Sequence, residues 1–177
     1  MTQTMPYTSN ELDLLKGKLA KNPGMILEGL AENSGLSMAE IIECLPESMW
    51  TRLDGGRFVD VLGEVATWGE VTTIVHTADV IMEISGPFPK GTLAHGFYNL
   101  DGSAGLHGHL RPNRCGSIYV VERPFMGTST TASLQFMNRD GGTMFKIYLG
   151  RDADRKILPH QLRALRTLAG AVTAEAA

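Results

Sequence analysis

The sequence predicts an α+β fold, in which short helices precede a large antiparallel sheet and one longer helix follows it. Three observations support this: helical spacing at the start, alternating polarity between turn residues in the middle, and a leucine stripe near the end. Strands that follow one another without intervening helices favour antiparallel pairing. We expect residues 1–50 to form an N-terminal helical segment and residues 51–177 a sheet domain with the C-terminal helix, together one compact unit.

The N-terminal segment has the start and stop signals of short helices. Thr8 with Glu11 and Ser37 with Glu40 both match the capping-box pattern, and Pro46 ends the last helix. The apolar residues that follow the two capping boxes at helical spacing are Leu12, Leu15, Leu19, Ile41, Ile42 and Leu45.

A helix predicted over residues 25–33 is joined to the next, 37–45, by a short turn that contains glycine, which is typical of a helix-turn-helix. Such a unit either recognises DNA or serves as a packing module. The second helix contains Glu40 and Glu43 but no lysine or arginine, so it would repel phosphate groups. The net charge of −3 also differs from the basic character of nucleic-acid-binding proteins. We therefore predict a packing module and no nucleic-acid partner.

The middle region contains segments of alternating polarity and high β propensity, which predict the strands of the sheet. Residues 71–78 and 80–85 are expected to form one extended stretch, and residues 117–122 another. Residues 131–137 and 144–149 flank a loop with two glycines, which is typical of a hairpin. The C-terminal helix is expected to pack on this sheet through Leu158, Leu162, Leu165, Leu168 and Val172.

Length and composition describe an ordinary globular protein: 177 residues, 43% hydrophobic and 20% charged. The two cysteines are too few for a disulfide framework, and no Cys-x-x-Cys motif indicates a zinc site. The sequence shows no secretory signal and no segment near the roughly 18 apolar residues that span a bilayer. We expect a cytoplasmic protein with no membrane partner.

Four of the five histidines lie within residues 76–109, and histidine is a common metal ligand. His107 and His109 would share one face of a strand. His76 lies in a segment with strong β propensity, and His95 lies in a loop or at the start of a strand. Since adjacent antiparallel strands bring distant residues together, we expect these imidazoles to converge on one exposed apolar surface.

The residues after His109 favour an anionic ligand over a bare metal ion. A cupin-type metal site would continue with a carboxylate, whereas Arg111 and Arg114 follow here. Haem fits this pattern, because it combines an apolar ring, two propionates and an iron that binds histidine or tyrosine. Tyr119 lies in a predicted strand and is a candidate ligand, although a strand tyrosine also packs in cores. Further candidates for the propionates are Lys90, Arg111 and Arg114, although exposed basic residues are more often simply solvated. Candidates for the ring are Phe88, Phe97, Phe125 and Met126, although such residues in a sheet more often belong to the core.

Catalytic motifs are not evident in the sequence. It has no Gly-x-Ser-x-Gly elbow, no Walker loop and no dinucleotide-binding motif. Glu28 and Glu32 lie on one face of a predicted helix, and we interpret both as solvated. A non-enzymatic function is therefore favoured.

Five segments taken in order give the chain a resemblance to a known family: residues 71–81, 95–100, 105–110, 123–127 and 144–152. Together they resemble the ChuX/HutX family of cytosolic haem-utilisation carriers. The resemblance extends over nearly the whole chain, and the motifs are long enough to be specific.

The resemblance implies an α+β homodimer that binds haem in the bacterial cytoplasm and delivers it to a haem-degrading partner. The family's haem-binding histidines correspond to His76 and His109, one of which is expected to ligate the iron. The strand tyrosine that ligates iron in some members corresponds to Tyr119, and His95 is a further haem-binding candidate. The alternatives are an enzyme that degrades haem or reduces its ring-opened product, a haem-sensing DNA-binding regulator, and a cupin-like metalloenzyme.

Overall fold

The structure is a computed structural model that describes residues 8–102, 105–127 and 129–175, with side chains as far as residue 170 in the last helix. The helices are α1 (Ser9–Lys21), α2 (Leu27–Ser34), α3 (Met38–Glu43), α4 (Phe58–Val65) and α5 (Pro159–Glu175). The strands are β1 (Trp50–Asp54), β2 (Glu70–His76), β3 (Ile81–Pro87), β4 (Gly91–Ala94), β5 (Phe97–Asp101), β6 (His107–Leu110), β7 (Cys115–Phe125), β8 (Ser129–Asn138) and β9 (Thr143–Leu149). Among the described residues, no helix is long and apolar enough to cross a membrane.

The strands form two antiparallel sheets. A six-stranded sheet has the order β1-β7-β8-β9-β2-β3, and a three-stranded sheet has the order β4-β5-β6. The predicted α+β class, its antiparallel sheet and the hairpin between β8 and β9 are confirmed. However, the segment that contains His95, His107 and His109 forms a separate three-stranded sheet, whereas a single large sheet was predicted.

Two local predictions are wrong. Residues 71–85 do not form one extended stretch, because β2 and β3 pair as a hairpin. At its turn the Thr77 hydroxyl accepts hydrogen bonds from the backbone N–H groups of Asp79 and Val80. The region expected to contain only strands also includes α4. The buried residues of α4 have the spacing of a helix: Phe58, Val61, Leu62 and Val65.

The N-terminal helices pack on one face of the six-stranded sheet, which we call the helical face. Both predicted capping boxes are present, at Thr8 and at Ser37. The core under these helices includes Leu19, Leu27, Ile41, Ile42, Tyr119, Val121 and Met137. The N-terminus of α3 docks on the β8–β9 hairpin, since the N–H of Ala39 donates to the carbonyl of Gly141 at 3.0 Å. This contact supports the interpretation of the predicted helix-turn-helix as a packing module.

The opposite face of the six-stranded sheet bears the main core, beneath α4, α5 and the three-stranded sheet. Phe58 lies at its centre, with its ring centroid 5.4 Å from that of Phe136, 6.1 Å from that of Phe145 and 6.4 Å from that of Tyr98. The predicted stripe of α5 is present in part: Leu165 is fully buried, and Leu162 and Leu168 are half-buried. Leu158 lies one residue before the helix begins, and the side chain of Val172 lies outside the described residues.

Candidate functional site

Alternation along β2 assigns His76 to the helical face. Val71 and Val75 point into the main core. Because successive side chains of a strand point to opposite faces, Thr72, Ile74 and His76 point to the other side, where all three line one groove.

The three-stranded sheet presents its histidines on a different side of the molecule. Its residues Tyr98, Leu100 and Leu110 pack into the main core, so His109 and the other alternating positions point outward. This sheet therefore covers the face of the six-stranded sheet opposite to His76. The expected convergence of His76 and His109 on one surface is wrong for a single chain, because their strands belong to two sheets rather than to neighbouring positions in one.

The groove beside His76 has a volume of about 500 Å³ and lies between α2 and the six-stranded sheet. This volume falls within the range of small-molecule sites in proteins. Its apolar lining includes Ile26, Ile74, Ile81, Phe125 and Leu149. Its polar lining includes Glu28, His76, Arg123, Lys146, Tyr148 and Arg151. The groove thus offers a largely apolar wall with one imidazole and several charged groups.

A buried ion pair forms part of the groove wall. Lys146 is 3% exposed, and its ammonium group donates to Oε1 of Glu28. Burial by itself would raise the pKa of Glu28. The charge of Lys146 and the hydrogen bond from its ammonium group together lower this pKa by more than burial raises it, so it lies below the ordinary value. Glu28 is therefore a carboxylate, and our interpretation of it as a solvated helix residue is wrong.

The same carboxylate faces one nitrogen of His76. Oε1 of Glu28 lies 3.7 Å from Nδ1 of His76. A carboxylate on this side favours a proton on Nδ1, which leaves the lone pair of Nε2 for a ligand. This is the arrangement in which proteins commonly present histidine to a metal ion.

Arg123 is a structural cation rather than a free one. It is 5% exposed, and its Nη1 donates to the carbonyl oxygens of Pro23 at 2.6 Å and Met25 at 2.9 Å. Its guanidinium carbon lies 5.5 Å from the centroid of the Phe125 ring. Arg123 therefore holds the loop before α2 against β7, and so shapes the end of the groove.

Arg151 is the exposed cation of the groove lining. Its Nη2 donates to the carbonyl of Thr130 at 2.6 Å, which orients the guanidinium. Arg151 was not among the predicted site residues, although residues 144–152 contributed to the family resemblance. The three predicted propionate partners, Lys90, Arg111 and Arg114, do not line this groove.

The predicted ring contacts are dispersed. Phe125 lines the groove and Phe97 lies beside His109, whereas Phe88 is buried in the main core and Met126 is 73% exposed.

Tyr119 lies on the helical face but in its core. It is 1% exposed, and its hydroxyl donates to Oε1 of Glu43 at 2.5 Å. Burial and the Glu43 carboxylate raise the pKa of Tyr119 to about 12, which disfavours the phenolate that binds ferric iron. Tyr119 borders a different, more polar cavity of about 690 Å³, whereas Tyr148 lines the groove beside His76.

The outer surface of the three-stranded sheet groups several other candidates. Nδ1 of His109 lies 2.7 Å from Oδ1 of Asn99, and the His109 ring lies edge-on to Phe97 with 6.0 Å between centroids. The guanidinium of Arg111 lies 5.2 Å from the same Phe97 centroid. An imidazole, an aromatic ring and a cation are therefore adjacent on an exposed surface.

The remaining predicted histidines lie at the edges of this sheet. His95 occupies the exposed two-residue turn between β4 and β5, with a φ of 54°, and Gly96 follows with a φ of 81°. The ring of His107 packs so closely over Gly102 that no other residue would fit there without a shift. Within the described ranges, no cluster of three or more histidine, cysteine, aspartate or glutamate residues could hold a metal ion.

A family model described as Haem utilisation ChuX/HutX matches residues 51–168. The intracellular heme transport protein HutX of Vibrio cholerae is 37% identical over 151 residues, which cover 85% of this chain and 78% of that protein. The chain therefore belongs to the ChuX/HutX family, and the resemblance inferred from the sequence is confirmed.

Solved structures agree with this assignment. A protein from Erwinia carotovora is 46% identical, with a TM-score of 0.84 over 88% of this chain and 96% of that one. The heme-binding protein ChuX is 41% identical, with a TM-score of 0.81 over 90% of this chain and 99% of that one.

Proposed function

We propose that this chain is an intracellular haem carrier that holds haem in the groove beside His76. The observation behind this proposal is the groove itself, in which an imidazole with Nδ1 facing a carboxylate lies in a mostly apolar wall. Relatives named for haem transport and haem binding support the choice of ligand.

The groove matches the chemistry of haem part by part. Ile26, Ile74 and Phe125 offer an apolar surface to the ring, and Nε2 of His76 offers a lone pair to the iron. Arg151, exposed at the groove, can pair with a propionate. Because the groove is open to solvent, bound haem could leave without unfolding of the chain, as a carrier requires.

A carrier fits the groove better than an enzyme does. Haem degradation or reduction of its product needs an acid/base group near the ring. Glu28 is engaged with Lys146, and the relatives that are 37% and 41% identical are named for haem transport and haem binding. We expect the haem absorbance band to persist when the complex is incubated with ascorbate or with a flavin reductase; loss of the band would favour the enzyme.

The groove proposal is tested by titration of hemin into the wild-type chain and into His76→Ala, followed by optical absorbance. We expect an affinity loss of about 100-fold, equivalent to about 2.7 kcal/mol. His107→Ala is the matched control, since it removes an exposed histidine that packs on Gly102. Equal affinities for wild type and His76→Ala would refute the groove as the binding site.

We also propose that the chain forms a homodimer through the β3 edge of the six-stranded sheet. The exposed apolar residues of this region are Val80 at 47%, Ile81 at 57% and Met82 at 50%. Exposed edge strands readily pair with a second chain. Sedimentation should show a dimer for wild type and a monomer for Ile81→Lys, with Leu93→Lys, on the three-stranded sheet, as control; a wild-type monomer would contradict this.

The cytoplasm and a haem-degrading acceptor complete the proposal. If the acceptor takes haem directly from this chain, the transfer rate rises with acceptor concentration. If haem first dissociates into solution, the transfer rate is independent of the acceptor concentration. Stopped-flow absorbance with a haem oxygenase as acceptor distinguishes the two, and the second result would argue against direct delivery.

A further inference from the structure

Asn99 lies directly opposite His109 in the pairing of β5 with β6. Its side-chain nitrogen donates to three backbone carbonyl oxygens: those of Thr92 at 3.2 Å, Ala94 at 3.2 Å and Phe97 at 3.1 Å. A flipped amide would place its oxygen against these three oxygens, which is repulsive. The surroundings therefore fix which end of the amide faces His109.

This orientation determines which nitrogen of His109 holds a proton. Oδ1 of Asn99 lies 2.7 Å from Nδ1 of His109 and can only accept a hydrogen bond. Nδ1 must therefore be the donor. In the neutral imidazole the lone pair then belongs to Nε2, on a side chain that is exposed to solvent.

We infer that Asn99 is a positioning residue that holds His109 as the Nδ1–H tautomer and so presents Nε2 as an exposed ligand for haem iron. The ligand role rests on the proposed haem binding, whereas the tautomer does not. Phe97 and Arg111 lie beside this imidazole and supply an aromatic surface and a cation. The outer surface of the three-stranded sheet is thus a second haem contact, separate from the groove.

Asn99 also stabilises the β4–β5 turn, so the test must separate that role from positioning. Asn99→Leu and Asn99→Asp introduce side chains similar in size to asparagine, and both lose the amide hydrogens that bind the three carbonyls. Only the aspartate variant keeps an acceptor for Nδ1 of His109. Its second oxygen faces the three carbonyl oxygens, so it should disturb the turn at least as much as leucine does. A loss common to both variants therefore reports the turn, and function that Asn99→Asp keeps but Asn99→Leu loses reports the acceptor.

The tautomer is measured by nitrogen-15 NMR of the histidine side chains in the full chain without haem. We expect a protonated Nδ1 and an unprotonated Nε2 for His109 in wild type and in Asn99→Asp. In Asn99→Leu we expect a shift toward the Nε2–H form, which free histidine prefers. A wild-type His109 protonated on Nε2, or the same tautomer mixture in wild type and Asn99→Leu, would overturn the inference.

The ligand role is measured by hemin titration in a His76→Ala background, which removes the proposed groove ligand. Asn99→Leu should weaken the residual binding about 10-fold, the usual scale for a residue that orients a metal-ligating histidine. Asn99→Asp should restore it, and His107→Ala should leave it unchanged. Residual binding that is insensitive to Asn99→Leu would refute the ligand role but not the groove. Failure of wild type to bind hemin would refute the proposed function, while the NMR result would still decide the tautomer.

Discussion

His76 and His109 belong to regions that present an imidazole in two different ways. In both, Nδ1 faces an oxygen atom: the Glu28 carboxylate at 3.7 Å for His76 and the Asn99 amide at 2.7 Å for His109. The side chain of His76 is 23% exposed within an apolar groove, whereas His109 is exposed on the outer surface of a small sheet.

The difference lies in what else the partner of each histidine does. Glu28 also neutralises the buried ammonium of Lys146, so the groove's histidine is linked to a charge pair that the fold requires. Asn99 is neutral and makes its other bonds to the backbone of one turn. The groove histidine therefore shares its partner with a buried ion pair, whereas the partner of the outer histidine binds the backbone of its own small sheet.

The largest effect that this comparison predicts is on stability. Glu28→Gln leaves Lys146 buried and without its counter-charge, and should lower the free energy of unfolding by about 3 kcal/mol. Urea denaturation followed by circular dichroism measures it. The control is Glu32→Gln on the exposed face of the same helix, which should change stability by less than about 0.5 kcal/mol. Equal free energies of unfolding for the two variants would mean that the ion pair between Glu28 and Lys146 does not stabilise the fold.

The pH dependence of that loss follows from the lowered pKa of Glu28. A carboxylate whose pKa is lower in the folded than in the unfolded chain stabilises the fold above its ordinary value of 4.5, and the contribution is lost as pH falls through the folded-state pKa. The stability difference between wild type and Glu28→Gln should thus be largest near neutral pH and shrink in acid. A difference that grows in acid would contradict this assignment.

Tyr119→Phe compares the groove with the core of the same sheet face. The pKa of Tyr119 is raised from 10.0 to about 12, so the intact phenol stabilises the fold below pH 10 and this contribution is lost as pH rises toward 12. We expect Tyr119→Phe to lower the free energy of unfolding by about 1 kcal/mol at neutral pH, because the hydrogen bond to Glu43 is lost. Between pH 10 and 12, the free energy of unfolding should fall less with pH in Tyr119→Phe than in wild type. The hemin titration should be unchanged; a changed haem spectrum would restore Tyr119 as a candidate ligand.

Arg151→Gln tests the charged rim of the groove. An exposed ion pair contributes up to about 1 kcal/mol, so we expect hemin affinity to fall about 5-fold, with a smaller difference at high salt. Arg114→Gln is the control, because Arg114 does not line the groove. Its Nη2 lies 3.4 Å from Oδ2 of Asp140. An equal loss in both variants would indicate a non-specific effect of net charge.

The smallest expected effect is that of His109→Ala in the otherwise wild-type chain. With the groove intact, the loss in hemin affinity should be below about 3-fold. Hemin titration by absorbance measures it beside His76→Ala. If His109→Ala lost more hemin affinity than His76→Ala, the three-stranded sheet and not the groove would be the main haem site.

Local patterns were sufficient for much of the fold. The capping boxes at Thr8 and Ser37 and the glycines of the β8–β9 loop specify structure within a few residues, and the sequence predicted all three. The β2–β3 turn has no glycine or proline between Thr77 and Val80, so its hairpin was missed. The assignment of β6 to a second sheet depends on long-range packing, which no local pattern encodes.

The candidate site was predictable in part for the same reason. His76 and His109 could be named from residue type and family resemblance. The partners of these histidines could not be named. Glu28 is separated from Lys146 by 118 positions, and its helix face was interpreted as exposed to solvent. The faces of the two histidines followed only once the sheet order was known.

A crystal structure of the haem complex tests the central claim most directly. We expect density for haem in the groove between α2 and β2, with the iron at bonding distance from Nε2 of His76 and a propionate beside Arg151. Haem bound on the three-stranded sheet alone, with the His76 groove filled by solvent, would contradict the account.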